Sequence, residues 1–242
     1  LEFIRVLFRS DPGIVDFVAE HGVRFVTTSA GDPTRFTAAF KEAGVTVFHV
    51  VPSLRGALKA VAAGVDGLVV EGNEGGGFKA PDGASTMVLL PLIASQVDVP
   101  IIAAGGICDG RSMAAAMVLG ADGVQMGTRM VSAAESPVHD NWKHLICTSA
   151  ESDSLLLNRH APPAFRVLRT EFSEEAERTE RAVIPSLEAV HALYFGGDLQ
   201  ASFAFGGQVA GRIDSVEPVA EIIRTTVADC ERILGETARA FA

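Results

Sequence analysis

The chain has 242 residues, 48% of them hydrophobic and 21% charged, with a formal net charge of -10. That length suits one ordinary domain, a βα-barrel of roughly 250 residues included, and the acidic balance argues against a nucleic-acid or anionic-membrane partner. Cys108, Cys147 and Cys230 are far apart and form no CxxC pair, which reads as cytoplasmic usage without a disulfide framework; no apolar run reaches the roughly 20 residues of a membrane span.

The first ten residues, LEFIRVLFRS, fit no signal peptide and break the pattern that follows. Arg5 to Ser10 match one reading frame of the end of a common sequencing adapter. Residues 1–10 are therefore expected to be a non-native leader, the other reading being a native amphipathic strand. From Asp11 the pattern is regular. Asp11 or Pro12 starts a helix that runs to Glu20 and stops at Gly22. A strand follows at 23–28 (VRFVTT), then a turn, SAGDP. The helix at 34–42 stops at Gly44, and 45–51 (VTVFHVV) is a strand. Ser53 caps a helix that ends at Gly64. The strand at 66–70 (DGLVV) runs into a glycine-rich loop, 71–77 (EGNEGGG). Ser85 begins a helix, 99–104 is a strand, 110–119 a helix and 123–126 a strand.

Strands alternating with helices at short intervals imply right-handed βαβ units and a parallel sheet. KEAGVTVFHVV, VAAGVDGLVVEG and VLGADGVQMG repeat one scheme, a small-residue helix end and a glycine feeding a short apolar strand. Glycine turns after several successive strands favour a closed barrel over an open doubly wound sheet, whose ligands gather at one switch point. Only about five strand–helix units are visible where a (β/α)8 barrel has eight. The fold expected is thus an α/β TIM-type barrel lacking its first three strands. It spans 11–132, a small mainly helical lid covers its mouth at 133–210, and a C-terminal helix at 211–242 packs back on it.

The stretch IIAAGGICDGRSMAAAMVLGADGVQMGTRM carries the clearest chemistry. Two strands end in glycine turns, Gly105-Gly106 and Gly127-Thr128, at the same end of the sheet. Backbone N–H groups there can approach an anion closely, and a helix start adds positive potential. The alternative is that these glycines only permit tight turns. Read together, EGNEGGG, IIAAGGI and GVQMGTRM resemble the nitronate monooxygenase (2-nitropropane dioxygenase) family, whose close relatives are the flavin-dependent enoyl-ACP reductases. The resemblance covers 11–242, the GGQVAG stretch included.

The resemblance implies a flavoprotein oxidoreductase with FMN. Gly105, Gly106, Gly127 and Thr128 would hold the FMN phosphate. Glu71, Gly76 and Gly77 would lie beside the isoalloxazine ring. Glu71 stands where Gln is usual, and Glu74 matches a recurrent family Glu; both could equally be solvated loop carboxylates. Gln125 either faces the flavin or is a polar barrel-interior residue. The departure is Phe78, which stands where nitroalkane-oxidising members carry the His base and cannot take a proton. Replacement candidates are His49, which could point into the barrel or be a satisfied core residue, Lys79 and Asp82 in the loop, and His139 and Lys143 in SPVHDNWK. No metal-ligand spacing is present. Two reactions follow from the resemblance: oxidation of a preformed alkyl nitronate with O2, or NAD(P)H-dependent reduction of a quinone or enoyl thioester. A third reading is a non-catalytic truncated fragment with an open parallel edge. A homodimer is left open.

Overall fold

The computed structural model describes residues 4–6, 13–160, 163–180 and 182–241. The expected leader lies outside these except for a short strand, β1 (Ile4–Val6); the expected helix start at Asp11 or Pro12 also lies outside. The alternation then proceeds through α1 (Ile14–Glu20), β2 (Phe25–Thr28), α2 (Thr37–Glu42), β3 (Thr46–Val51), α3 (Leu54–Ala62) and β4 (Gly67–Glu71). After β5 (Gly77–Lys79) come α4 (Thr86–Ala94), β6 (Ile101–Ala104), α5 (Gly110–Val118), β7 (Gly123–Gln125) and α6 (Thr128–Val131). The sheet order is β1-β2-β3-β4-β6-β7, every pairing parallel, which makes an arc of a βα-barrel.

Local chemistry sets these elements. The Ser53 hydroxyl accepts from Gly56 N–H at 3.2 Å and caps α3. Asp109 and Ser112 form a reciprocal capping box on α5. Ser85 precedes α4 as expected but makes no side-chain cap. The Glu74 carboxylate caps α4 instead, accepting from Thr86 N–H at 2.9 and 3.0 Å. A carboxylate at a helix N-terminus is favoured by the helix dipole.

The two faces of the arc differ. Val26, Val47, Val51, Leu68, Val70 and Ala103 are buried against Phe40, Leu90 and Ile93 of the surrounding helices. The opposite face, which lines the barrel interior, is less covered: Phe48, Val50 and Ile102 are half-buried. Phe48 lies over Gly67, where a Cβ would fall within 2.3 Å of its ring.

The segment expected to form the lid, 133–210, contains α7 (Asp140–Thr148), β8 (Ser154–Leu157), β9 (Ala164–Leu168), α8 (Glu171–Arg178) and α9 (Leu187–Tyr194); it is called the lid below. Its apolar pieces are paired strands: β5, β9 and β8 form an antiparallel sheet in that order. Phe165 and Val167 of β9 project from one face of this sheet and pack with Phe203 and Ala176. β5 belongs to the stretch read as loop, so the barrel contributes a strand to the lid. Three residues that begin with a glycine carry no strand signal of their own; pairing with β9 makes the strand. The long α10 (Val219–Ala240) crosses α5 closely at Gly110, where an added Cβ would lie 2.5 Å from Asp229.

Candidate active site

The C-terminal ends of β4, β6 and β7 converge on the lid. In a parallel sheet, register neighbours share a face. Glu71, Ala104 and Gln125 are such neighbours. They alternate with Val70 and Ala103, which face the helices, so Glu71 and Gln125 project on the barrel-interior side. Gln125 is half-buried there.

The turn after β6 requires glycine. Gly105 has φ 86° and Gly106 φ 77°, in the left-handed region that side chains disfavour. An added Cβ on Gly105 would sit 2.9 Å from the Gly72 carbonyl oxygen. The N–H groups of Gly105, Gly106 and Ile107 have no acceptor among the described residues. Across from them, a Cβ on Gly127 would meet nothing within 4 Å. Thr128 is buried, and its hydroxyl oxygen accepts from Gly207 N–H at 2.9 Å, leaving its own proton to donate. Unpaired N–H donors, a free hydroxyl proton and open space above Gly127 suit a phosphate monoester; this donor set fits the phosphate of FMN.

The glycines of 71–77 have a different reason. A Cβ on Gly76 would come within 2.7 Å of the Gly206 backbone. Gln208 N–H donates to the Glu74 carbonyl at 2.9 Å. Gly76 thus lets the lid segment 206–208 dock on the loop, and Gly77 opens β5 at φ 87°. Glu74 is no solvated carboxylate. Besides capping α4, it accepts from Thr86 Oγ1 at 3.1 Å, and the same hydroxyl reaches the Gly105 carbonyl at 2.8 Å. Glu74 ties the loop to the glycine turn.

Glu71 is also partnered. Its Oε1 lies 2.7 Å from Lys79 Nζ, with side-chain exposures of 16% and 4% respectively. A carboxylate beside a flavin pyrimidine would oppose negative charge on the reduced ring; the adjacent ammonium offsets that. Lys79 is therefore a buried cation rather than a loop charge facing water.

A cavity of about 380 Å3 opens along the ends of β2, β3 and β4, lined in part by Ser29, His49, Asn73, Phe78 and Lys79. Phe78 is 53% exposed and its ring lies 5.0 Å from that of Phe165. The position at which the resemblance leads one to expect His is thus at the cavity, and it offers only an aromatic surface.

His49 does not point into the barrel. It alternates with Phe48 and Val50 and shares the helix-facing side with Val47 and Val51. Both faces of this strand are apolar, so periodicity alone did not distinguish them. Its Nδ1 lies 2.7 Å from Thr28 Oγ1. Burial pushes the imidazole pKa below its ordinary value, an effect that Asp32 opposes and Lys59 reinforces. His139 is not brought to the cavity. It caps α7, accepting from Asn141 N–H at 3.1 Å, and its ring packs against Gly197. Lys143 is buried and donates to the Ala134 carbonyl. Burial and the Asp109 charge raise the Cys108 thiol pKa, so no thiolate forms at neutral pH. Among the described residues no group of three or more His, Cys, Asp or Glu could hold a metal ion, and no helix is long and apolar enough to cross a membrane.

Three residues were not singled out by the sequence. Arg166 reaches back from β9, its Nε donating to the Asn73 carbonyl at 2.6 Å. Ser29 follows β2 with no motif around it, and Asn73 lies within EGNEGGG, whose glycines and glutamates drew the reading instead.

The sequence pattern of the nitronate monooxygenase family matches residues 7–229. This chain belongs to the nitronate monooxygenase family. It is 36% identical over 171 residues to (3aS,4S,5R,7aS)-5-hydroxy-7a-methyl-1-oxo-octahydro-1H-indene-4-carboxyl-CoA dehydrogenase of Mycobacterium tuberculosis, covering 69% of this chain and 48% of that protein. It is 35% identical over 168 residues to "Probable nitronate monooxygenase" of Staphylococcus saprophyticus, covering 65% and 47%. Among solved structures, FabK from Thermotoga maritima superposes with a TM-score of 0.89 at 34% identity, covering 99% of this chain and 78% of that one. The chain spans about half the length of the curated relatives named here. The relatives named above carry oxidoreductase names, a dehydrogenase and a nitronate monooxygenase, and barrel enzymes in general place their chemistry at the C-terminal mouth.

Proposed function

We propose that the protein containing this chain is an FMN-dependent oxidoreductase that oxidises a preformed alkyl nitronate with O2. The carrying observation is Phe78, an exposed aromatic at the cavity where proton abstraction would need a base. An anionic nitronate has already lost that proton, so an apolar surface serves there. Bound FMN would supply the two-electron acceptor and the reactivity with O2. Gly105, Gly106, Gly127 and Thr128 would hold its phosphate, and Glu71, Gly76, Gly77 and Gln125 would border its ring. The Lys79 ammonium, held by Glu71 at 2.7 Å, would cancel the carboxylate charge that otherwise would repel an anionic substrate. Phe78 would screen the substrate's apolar part from water.

A second reading is NAD(P)H-dependent reduction of an enoyl thioester or a quinone. It is favoured by the 36% identity to a CoA-ester dehydrogenase and the 0.89 TM-score with FabK. Purified full-length protein is expected to be yellow and to consume O2 with propane-1-nitronate. Anaerobic mixing separates the readings: rapid bleaching of flavin absorbance by NADH or NADPH favours the second. A flavin-free preparation that rejects added FMN overturns both.

A further inference from the structure

The cavity of about 380 Å3 does not end at the barrel mouth. Glu71 and Phe78 line it there, and His49 and Val51, on the helix-facing side of β3, line it as well. It turns over the end of β3, past Val50 and Pro52, into a recess with Gly31 on one wall and Lys59 of α3 on the other. Lys59 pairs with Asp32 at 2.9 Å and so ties the two walls together. FMN would not fill this recess, because Glu71 and Gln125, which would border its ring, project on the other side of the sheet.

His49 is 6% exposed, and its Nδ1 lies 2.7 Å from Thr28 Oγ1. Its Nε2 has no hydrogen-bond partner among the described residues, yet it is not one of the sealed, unpaired atoms, which are Ser29 Oγ, Asn73 Oδ1, Trp142 Nε1 and Ser202 Oγ. The small exposed part of the side chain therefore includes Nε2, which opens on the recess. A nitrogen so placed is satisfied only by water or a ligand. Thr28 can donate to Nδ1 or accept from it, so Nε2 can present either an N–H or a lone pair. A hydroxyl answers both, since it donates and accepts. Burial pushes the imidazole pKa down, an effect that Asp32 opposes and Lys59 reinforces. The ring is thus neutral at pH 7 and offers no charge to a carboxylate.

We propose that His49 Nε2 bonds a hydroxyl at the far end of the substrate, whose apolar chain passes from Phe78 over Pro52 into the recess. The inference rests on the oxidoreductase reading above and narrows the substrate class to a chain with its reacting group at one end and a hydroxyl at the other. His49 stands two residues before the end of β3, roughly 7 Å into the recess, a depth that a short alkyl chain spans.

The test uses the full-length holoenzyme and pairs of ligands that differ only by the terminal hydroxyl. Hexanoate and 6-hydroxyhexanoate are the unreactive pair, with Kd read by titration calorimetry. Hexane-1-nitronate and 6-hydroxyhexane-1-nitronate with O2 are one reactive pair; hex-2-enoyl-CoA and 6-hydroxyhex-2-enoyl-CoA with NADPH are the other. The wild type is expected to prefer the hydroxylated member about fivefold, the value of one hydrogen bond. His49→Leu should abolish the preference, and His49→Gln, whose neutral carboxamide can still bond the hydroxyl, should keep it. The His49 Nε2 resonance in 15N NMR, assigned by its loss in His49→Gln, should move with 6-hydroxyhexanoate and stay in place with hexanoate. No preference in the wild type, a preference that survives His49→Leu, or an unmoved resonance overturns the proposal. If no flavin is retained and neither reactive pair turns over, the oxidoreductase reading fails, while the hexanoate pair still decides the recess.

Discussion

The two ends of the active-site rim are built by different means. At the β6–β7 end, backbone does the work: positive φ at Gly105 and Gly106, unpaired N–H groups, and open space over Gly127. At the β2–β4 end, side chains do it: Ser29, Asn73, Phe78 and the Lys79–Glu71 pair around one cavity. A backbone site suits a group common to a whole family, because it tolerates almost no change of residue. A side-chain site can change its preference by single substitutions, and Phe78, where the resemblance implies His, is the position at which to test that.

The largest effect that bears on this contrast is expected at the buried pair. Lys79→Met leaves Glu71 near an apolar wall without its cation and should cost about 3 kcal/mol in urea denaturation of the full-length protein. The double variant Lys79→Met/Glu71→Gln should recover most of that loss. Simple additivity of the two single changes would mean that the pair contributes no coupling.

The backbone end is next. Gly105→Ala meets both an unfavourable φ and a contact at 2.9 Å, and should cost about 2–3 kcal/mol and release FMN. Gly127→Ala has φ -92° and free space, so its stability should stay within about 0.5 kcal/mol of wild type. Its FMN affinity, read by fluorescence titration, should nevertheless fall. Full FMN affinity in Gly127→Ala would place the phosphate elsewhere.

Phe78→His restores a proton acceptor at the cavity. It should speed oxidation of neutral nitropropane by about 100-fold, the usual scale of general-base catalysis, while leaving nitronate oxidation within a few-fold. No gain with the neutral substrate would break the link between position 78 and proton abstraction.

The smallest effect belongs to His49. Its folded-state pKa lies below the ordinary 6.5, so below pH 6.5 the unfolded chain binds the proton first. Stability should therefore be level above that pH and decline as pH falls below it. His49→Gln should flatten this decline by up to about 1 kcal/mol between pH 7 and 5. Asp32 and Lys59, ion-paired at 2.9 Å, are the charged groups acting on the imidazole, and their bridge should hold across this range.

Much of the barrel was legible in order of appearance. The strands of VRFVTT, VTVFHVV, DGLVV, IIAA and GVQ lie where short apolar runs meet glycine-ended helices. The Gly105-Gly106 turn was legible because a conformational demand leaves its mark on residue type. Residues 71–79 were legible only as a glycine-rich stretch. That Gly76 serves a lid segment 130 residues further on, that β5 joins the lid sheet, and that Glu74 caps α4 are all long-range outcomes.

The sequence by itself determined the succession of βα units, the positive-φ glycine turn and the absence of a base at Phe78, because each is written in local residue type. The tertiary structure alone decided which face His49 takes, that Lys79 meets Glu71, and that Ser29 and Asn73 share one cavity. Strands buried on both faces read as continuous apolar runs, so their pattern does not tell inside from outside. Partners brought together by a parallel sheet come from separate βα units, and only the closing of the arc brings them within bonding distance.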